Sequence, residues 1–163
     1  MGVVARVLEP TSRAASVDAI DVDALVGEGV RLVLLDRDNT CVPRDAREAP
    51  AEVAAWFAHA REAGLALCLL TNNTHRGEVE RSARELGVPV VHPAMKPAPF
   101  AVTLALVRMG VPAEQAVVVG DQVFTDVLAA NLAGVRSILV EPQCASDLWY
   151  ARPFRAVERL FLR

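Results

Sequence analysis

The sequence RLVLLDRDNT at residues 31–40 decides the fold of this chain, because an unbroken apolar run ends there abruptly in two acids. Apolar residues in succession, without polar alternation, are typical of a parallel strand that is covered on both faces. Similar short runs recur along the chain, and the predicted strands are 31–36, 65–71, 89–92, 115–120 and 136–140.

Longer amphipathic segments separate these runs, and they predict helices over 50–63, 75–87, 97–110 and 123–134. Each segment ends at or just before a glycine, a residue that favours helix termination. Strands joined by single helices predict right-handed crossovers and an open, doubly wound parallel α/β sheet. We expect a single domain over residues 1–163, with a leading helix at about 17–27 and a trailing helix at about 152–162.

The composition excludes several classes of protein. With 53% hydrophobic and 23% charged residues, the chain has the balance of a folded globular protein rather than a disordered one. A net charge of −3 gives no general attraction to nucleic acid. Three cysteines, odd in number and far apart, indicate a reducing, cytoplasmic location and no zinc motif. No apolar run reaches the ~20 residues of a membrane span, and peripheral attachment to a membrane stays open.

Polar residues gather where the predicted strands end. In a doubly wound sheet the carboxyl ends of the strands form one edge, and ligands bind there. Asp36 and Asp38 follow the first strand, and phosphoryl transfer needs both a nucleophile and a proton donor. We predict that Asp36 forms an aspartyl-phosphate and that Asp38 protonates the leaving oxygen. Taken alone, the two acids are explained equally well by a strand end and an Asx turn.

A second acidic pair follows the fourth strand, in the sequence GDQVFTD at residues 120–126. Mg²⁺ prefers hard oxygen ligands, and Asp36 with Asp121 would supply two carboxylates. We expect the backbone carbonyl of Asp38 as a third ligand, and Asp126 as support behind the metal. Helix capping explains one of these acids, but not an edge that already carries two others.

Three further residues suit the transferred phosphoryl group. Thr71 and Asn72 follow the second strand and offer a hydroxyl, an amide and backbone N–H groups to phosphate oxygens. Lys96 follows the third strand and would neutralise phosphoryl oxygens and nearby carboxylates. It is the single lysine among 17 basic residues, which favours a position that needs a compact ammonium. Each residue alone fits ordinary surface or helix-entry sequence, but the full set at successive strand ends favours catalysis.

The complete set resembles the haloacid-dehalogenase (HAD) superfamily of phosphohydrolases. Its four motifs fall at Asp36 with Asp38, at Thr71, at Lys96, and at Asp121 with Asp126. The resemblance implies a Rossmann-like three-layer α/β/α core, Mg²⁺ and the aspartyl-phosphate on Asp36.

Longer stretches are similar to one branch of that superfamily, the YqeG family of subfamily IIIA. They are DRDNTCVP at 36–43, GDQVFTDVLAANLAG at 120–134, and the closing residues Trp149, Arg152, Glu158 and Arg159. The similarity spans about residues 8–160. Arg37 stands where leucine is usual and Cys41 where an aliphatic residue is usual, and neither difference removes a catalytic group.

The spacing of the motifs leaves no room for a cap domain. One helix and one strand fill the interval from Asp36 to Thr71, and another pair fills the interval from Thr71 to Lys96. An open site suits a bulky, macromolecular or lipid phosphate, or a partner subunit in an oligomer that serves as the lid. YqeG proteins also resemble mitochondrial phosphatases of phosphatidylglycerophosphate, which implies that lipid as one substrate. A soluble sugar or nucleotide phosphate stays open as the alternative.

The C-terminal segment bears on membrane contact. Apolar residues recur there at helical spacing beside a stripe of arginines: Tyr150, Phe154, Val157 and Phe161, with Arg152, Arg155, Arg159 and Arg163. Such a helix suits an anionic membrane surface. Packing of the apolar face on the sheet, with solvated arginines, is the commoner arrangement and the one we favour.

Two other classes of protein share this fold. A receiver domain also phosphorylates an aspartate, but it places that residue after the third strand, where this chain has His92-Pro93. A non-catalytic binding module on a phosphatase core is expected to lack the proton donor, whereas Asp38 is present. A phosphatase is therefore the favoured function, and the need for a partner protein stays open.

Overall fold

The computed structural model describes residues 6–144, and six parallel strands form a single sheet within that range. The strands are β1 (Ser12–Ala14), β2 (Leu32–Leu35), β3 (Ala66–Leu70), β4 (Val90–Val91), β5 (Ala116–Gly120) and β6 (Arg136–Val140). Their order across the sheet is β1-β6-β5-β2-β3-β4, and every neighbouring pair is parallel. The predicted parallel α/β sheet is confirmed.

Helices cover both faces of this sheet. They are α1 (Val22–Gly27), α2 (Ala51–Glu62), α3 (Arg76–Leu86), α4 (Phe100–Met109) and α5 (Leu128–Leu132). Buried residues of α1, α2 and α3 form one apolar cluster with the sheet, and those of α4 and α5 form another. The fold therefore has the three α/β/α layers that the sequence predicted. Among the helices of residues 6–144, none has both the length and the apolar character needed to cross a membrane.

The central strand β2 explains why its sequence is apolar without alternation. Val33 and Leu35 belong to the same apolar cluster as Phe57 of α2, whereas Leu32 and Leu34 belong to the other cluster. All four β2 side chains are completely buried. A strand covered on both sides has no solvent-facing position for a polar residue, so the run is apolar throughout.

The leading helix is shorter than predicted. The sequence indicated residues 17–27, but α1 begins at Val22. Asp21 caps it, because its side chain accepts a backbone N–H of the first turn at 3.0 Å. The indole N–H of Trp56 donates to the Ile20 carbonyl at 2.8 Å, which anchors the preceding turn to α2. Local capping therefore starts the helix later than its apolar pattern suggested.

Two further differences concern the ends of the sheet. Strand β1 was not predicted, because as an edge strand beside β6 it has two exposed residues out of three and no apolar run. The predicted helix 123–134 is divided into a π-helical turn, Val123–Val127, and then α5. The predicted trailing helix 152–162, with the apolar and arginine stripes of 149–163, lies outside the described residues.

The strand order creates a switch point between β2 and β5. From β2 the chain proceeds through β3 to β4 on one side, while β5 and β6 lie on the other. Leu35 is in register with Val119, and the backbone N–H of Asp36 donates to the Val119 carbonyl at 2.9 Å. This register sets Asp36 beside Gly120 and Asp121, at the position where doubly wound sheets bind their ligands.

Candidate active site

Lys96 connects the predicted catalytic groups. Its ammonium donates to Asp36 Oδ1 at 2.8 Å, to Asp126 Oδ1 at 2.6 Å and to the Leu70 carbonyl at 2.9 Å. These acceptors come from the ends of β2 and β3 and from the turn after β5. The structure therefore brings together at one edge the acids and the lysine that are far apart in sequence.

The lysine is charged although its side chain is only 3% exposed. Burial alone lowers the pKa of an ammonium, but the carboxylates of Asp126 and Asp36 outweigh it and hold the pKa of Lys96 above its ordinary value. All three N–H groups of the ammonium have acceptors within the protein. The predicted contact of Lys96 with a phosphoryl oxygen therefore needs one of these bonds to be shared or released.

Asp36 belongs to the polar cluster that it forms with Lys96, Asp121 and Asp126. Burial raises the pKa of Asp36 from 3.8 to about 6, although the neighbouring Lys96 charge opposes this rise. Its Oδ2 accepts from the Thr40 hydroxyl at 3.3 Å. A carboxylate that has lost most of its water is a stronger nucleophile than a solvated one, because less solvent must be displaced before it reacts.

Three carboxylates lie close enough to hold a cation. Asp36, Asp121 and Asp126 each offer an oxygen, and these oxygens lie within 4.8 Å of one another. The hydroxyl of Thr40 lies 3.3 Å from Asp36 Oδ2 and 3.2 Å from Asp121 Oδ1. One hydroxyl proton can satisfy only one of the two oxygens at a time. The donor set of hard oxygens and its unbalanced negative charge therefore fit a divalent metal such as Mg²⁺.

Asp126 is held tightly by its surroundings. Burial raises its pKa, against the opposing charge of Lys96, and its Oδ2 accepts the backbone N–H of Gln122 at 3.2 Å. A Cβ on Gly120 would lie only 2.2 Å from the carboxyl carbon of Asp126. Glycine at that position lets the carboxylate approach β5. Both oxygens have donors, the Lys96 ammonium and the Gln122 N–H, and these contacts fit the predicted supporting role of Asp126.

Asp38 is the more accessible acid, with a side chain that is 22% exposed. Its Oδ1 accepts from Arg37 Nη1 at 2.6 Å and from the Asn73 side-chain amide at 3.2 Å. The hydroxyl of Thr71 lies 3.5 Å from Oδ2. Asp38 therefore sits next to Thr71 at the open edge of the cluster, where a proton donor for a leaving group is needed.

Asn72 has a different set of contacts from the predicted one. Its amide donates to the Lys96 carbonyl at 2.8 Å, and its carbonyl oxygen accepts the Lys96 backbone N–H at 2.9 Å. This reciprocal pair fixes the backbone of the loop that carries the lysine. A direct contact between the Asn72 side chain and phosphate stays a prediction, because its polar groups already have partners.

Sequence reasoning assigned no role to three residues that contact the site: Arg37, Thr40 and Ser82. Thr40 lies inside the quoted motif DRDNTCVP, so its position was a usable signal. Ser82 lies on α3, and its contact with Arg37 joins residues 45 apart in the chain. No local pattern could have indicated that pair.

Known proteins similar in sequence to this chain are phosphatases or HAD-like hydrolases. A family profile described as HAD-hydrolase-like matches residues 93–151, a range that contains Lys96, Asp121 and Asp126. The chain is 36% identical over 140 residues to the "Probable phosphatase YqeG" of Bacillus subtilis, with 86% of this chain and 81% of that one covered. It is 34% identical over 118 residues to a "Phosphoserine phosphatase" of Thermus thermophilus, with 60% of this chain but only 45% of that one covered.

Solved structures agree on the fold. The cobalt-bound deoxy-D-mannose-octulosonate 8-phosphate phosphatase (YrbI) of Haemophilus influenzae superposes with a TM-score of 0.57 at 16% sequence identity. The superposition covers 83% of this chain and 88% of that one. At this identity the likeness concerns the arrangement of the sheet and helices alone.

Proposed function

This chain belongs to the YqeG family of HAD-type phosphatases, and on that basis we propose that it hydrolyses phosphate monoesters through a phosphorylated Asp36 with the help of Mg²⁺. One observation carries the proposal. A buried carboxylate, Asp36, is bound to Lys96 at 2.8 Å and shares the end of β2 with a second, more exposed acid, Asp38. A nucleophile and a proton donor therefore lie at the same strand end, and the Lys96 ammonium holds the nucleophile in position.

In the first step, a carboxylate oxygen of Asp36 attacks phosphorus and the bond from phosphorus to the ester oxygen breaks. Asp38 gives its proton to that oxygen, which leaves as the alcohol. In the second step, water attacks the same phosphorus and gives its proton to Asp38, and the bond from phosphorus to Asp36 breaks. Inorganic phosphate leaves, and both acids return to their starting protonation states.

The metal assignment rests on the donor set. Asp36 and Asp121 belong to the group of three neighbouring carboxylates and are the two proposed to hold Mg²⁺, with the backbone carbonyl of Asp38 as the proposed third protein ligand. When bound, the ion offsets negative charge on the carboxylates and on the phosphoryl oxygens. Asp126 and Lys96 fix the position of Asp36 and limit the charge of the cluster.

The absence of a cap favours a large phosphorylated substrate. In the described residues, only α2 lies between β2 and β3 and only α3 between β3 and β4, so no inserted domain covers this edge of the sheet. We propose phosphatidylglycerophosphate, or another bulky phosphate at a membrane surface, as the substrate. Contact with a membrane and a second subunit acting as a lid are parts of the same proposal. A soluble sugar, nucleotide or amino-acid phosphate is the alternative, because an open site admits small esters as well.

Phosphate release from a panel of monoesters tests the mechanism. The panel contains p-nitrophenyl phosphate, glycerol phosphate, nucleotide monophosphates, phosphoserine, and phosphatidylglycerophosphate in mixed micelles. We expect release that requires Mg²⁺, stops with EDTA, and falls to background in Asp36→Asn. The matched control Asp45→Asn, which replaces an exposed carboxylate, should keep full activity.

The outcomes separate mechanism from substrate. Preference for the lipid ester supports the membrane proposal, and preference for a small ester selects the soluble alternative. Retention of activity in Asp36→Asn would exclude the phosphorylated aspartate. If folded, Mg²⁺-bound protein released phosphate from no ester, a non-catalytic module or an enzyme lacking its partner would replace the proposal.

A further inference from the structure

Arg37 is a buried cation beside the proton donor, and neither the nucleophile nor the metal site uses it. Its side chain is only 5% exposed. Nη1 donates to Asp38 Oδ1 at 2.6 Å, and Nε donates to the Ser82 hydroxyl at 2.8 Å. Ser82 lies on α3 and is itself 1% exposed, so the guanidinium joins α3 to the loop after β2.

The rigidity of the guanidinium gives this link a defined geometry. Its N–H groups lie in one plane at fixed angles, so a bond to Ser82 fixes the direction of the bond to Asp38. A buried arginine without partners is strongly unfavourable, so other positions of this side chain that lack such bonds are disfavoured. Asp38 on a loop would otherwise have freedom of rotation about its side-chain bonds.

The donors around Asp38 also distinguish its two oxygens. Oδ1 accepts from Arg37 and from Asn73, at 2.6 and 3.2 Å. Oδ2 faces the Thr71 hydroxyl at the longer distance of 3.5 Å. A proton on Oδ1 would face two donors, so Oδ2 is the oxygen that is able to carry and release the proton.

We propose that Arg37, held by Ser82, is a positioning residue that keeps the Asp38 carboxyl group oriented with Oδ2 available for proton transfer to the leaving group. The inference rests on the proposed function, because it assigns a role within that reaction. The role of Arg37 adds to the proposed function a link between α3 and Asp38, and it identifies Oδ2 as the oxygen that transfers the proton.

The test compares two esters that differ in their need for the acid. Nitrophenolate leaves without protonation, whereas the alkoxide of glycerol phosphate needs a proton. General acid catalysis contributes about 10²–10⁴-fold, so Arg37→Met should lose about tenfold or more on glycerol phosphate beyond its loss on p-nitrophenyl phosphate. Asp38→Asn removes the acid altogether, so it should show the largest excess loss on glycerol phosphate over p-nitrophenyl phosphate. Ser82→Ala should show a smaller excess loss on the same ester.

A matched arginine on α3 serves as the control. Arg76 makes a bond of the same length, 2.6 Å to Glu80, but its side chain is 79% exposed and lies outside the cluster. Arg76→Met should behave like wild type on both esters. Equal losses on both esters in Arg37→Met and Ser82→Ala would overturn the proposal, because they would indicate a purely structural role.

Crystal structures of wild type and of the Arg37 and Ser82 variants give a second readout that needs no turnover. We expect the Asp38 carboxylate to leave its contacts with Asn73 and Thr71 in Arg37→Met. An unmoved Asp38 would overturn the positioning role even if the wild type hydrolysed neither ester. If Arg37→Met does not fold, Ser82→Ala decides both the kinetic and the structural comparison, and failure of wild-type turnover alone counts against the proposed function.

Discussion

Replacement of Asp36 by asparagine should make the metal-free protein more stable at neutral pH, although it removes the proposed nucleophile. The cluster holds three buried or nearly buried carboxylates, Asp36, Asp121 and Asp126, around the single ammonium of Lys96. Without a cation the negative charge is in excess. The folded protein resists ionisation of Asp36 chiefly because the carboxylate is buried, which raises its pKa from 3.8 to about 6 although the Lys96 charge opposes the rise.

The magnitude and sign follow from that change in pKa. Below about pH 4 the Asp36 carboxyl is protonated in both the folded and the unfolded chain, so it contributes no penalty. As the pH rises through the folded pKa, the folded state must ionise a group that the unfolded state ionises more readily. The rise from 3.8 to about 6 corresponds to about 3 kcal/mol of stability that is lost between about pH 4 and pH 7.

Urea denaturation of metal-stripped wild type and Asp36→Asn, at a series of pH values, measures this term. The two proteins should be similar near pH 4, and the variant should exceed the wild type by about 3 kcal/mol near pH 7. Asp45→Asn, which removes an exposed carboxylate, should follow the wild type throughout. A stability difference that does not change with pH, or a variant less stable than wild type at pH 7, would refute the reasoning that ionising the buried Asp36 costs stability.

Three further predictions concern other parts of the site. Mg²⁺ at about 100 times its Kd should stabilise the wild type by about 2.7 kcal/mol, measured by thermal shift, and it should stabilise Asp121→Asn far less. Equal shifts in the two proteins would contradict the metal assignment. Gly120→Ala should reduce activity about 10–100-fold, because the added Cβ would lie 2.2 Å from the Asp126 carboxyl carbon and displace that side chain. The control Gly77→Ala adds a Cβ that has no neighbouring atom within 4 Å, and it should retain full activity in the same assay. Burial raises the pKa of the Cys68 thiol to about 11, so mass spectrometry should find it unmodified by a thiol reagent at about pH 8 in the folded protein, and rapid labelling would show that it is exposed.

The sheet was predictable because its strands are buried on both faces. Strand β6 has the predicted bounds, 136–140, and β2 begins and ends one residue inside its predicted range. Edge strand β1 lacks that apolar run, so its place depends on pairing with β6 rather than on its own sequence. The start of α1 depends on the Asp21 cap, which competes with an apolar pattern that continues further back.

The site was predictable to the extent that strand ends determine it. The motif spacing placed Asp36 and Asp121 at neighbouring strand ends, and the register of β2 with β5 brings these ends together. The spacing could not indicate which donors each acid receives. The Asn72 pair with the Lys96 backbone and the Ser82 contact with Arg37 arise from packing of elements that are distant in sequence. Such contacts decide how a side chain is oriented. The orientation in turn decides whether a residue such as Asn72 can bind phosphate or instead holds a neighbouring loop in place.

The single lysine of the chain illustrates how geometry selects a residue type. Its ammonium reaches three acceptors that converge from β2, β3 and the turn after β5, at 2.6 to 2.9 Å. An ammonium presents three donors around one small centre, whereas a guanidinium spreads five donors over a plane. Arginine at position 96 would place a larger, planar group among these acceptors, at a residue that is only 6% exposed. Every other Lys or Arg position in this chain is an arginine. At Arg37 the planar guanidinium is suitable, because it connects two acceptors that lie in different directions, Asp38 and Ser82.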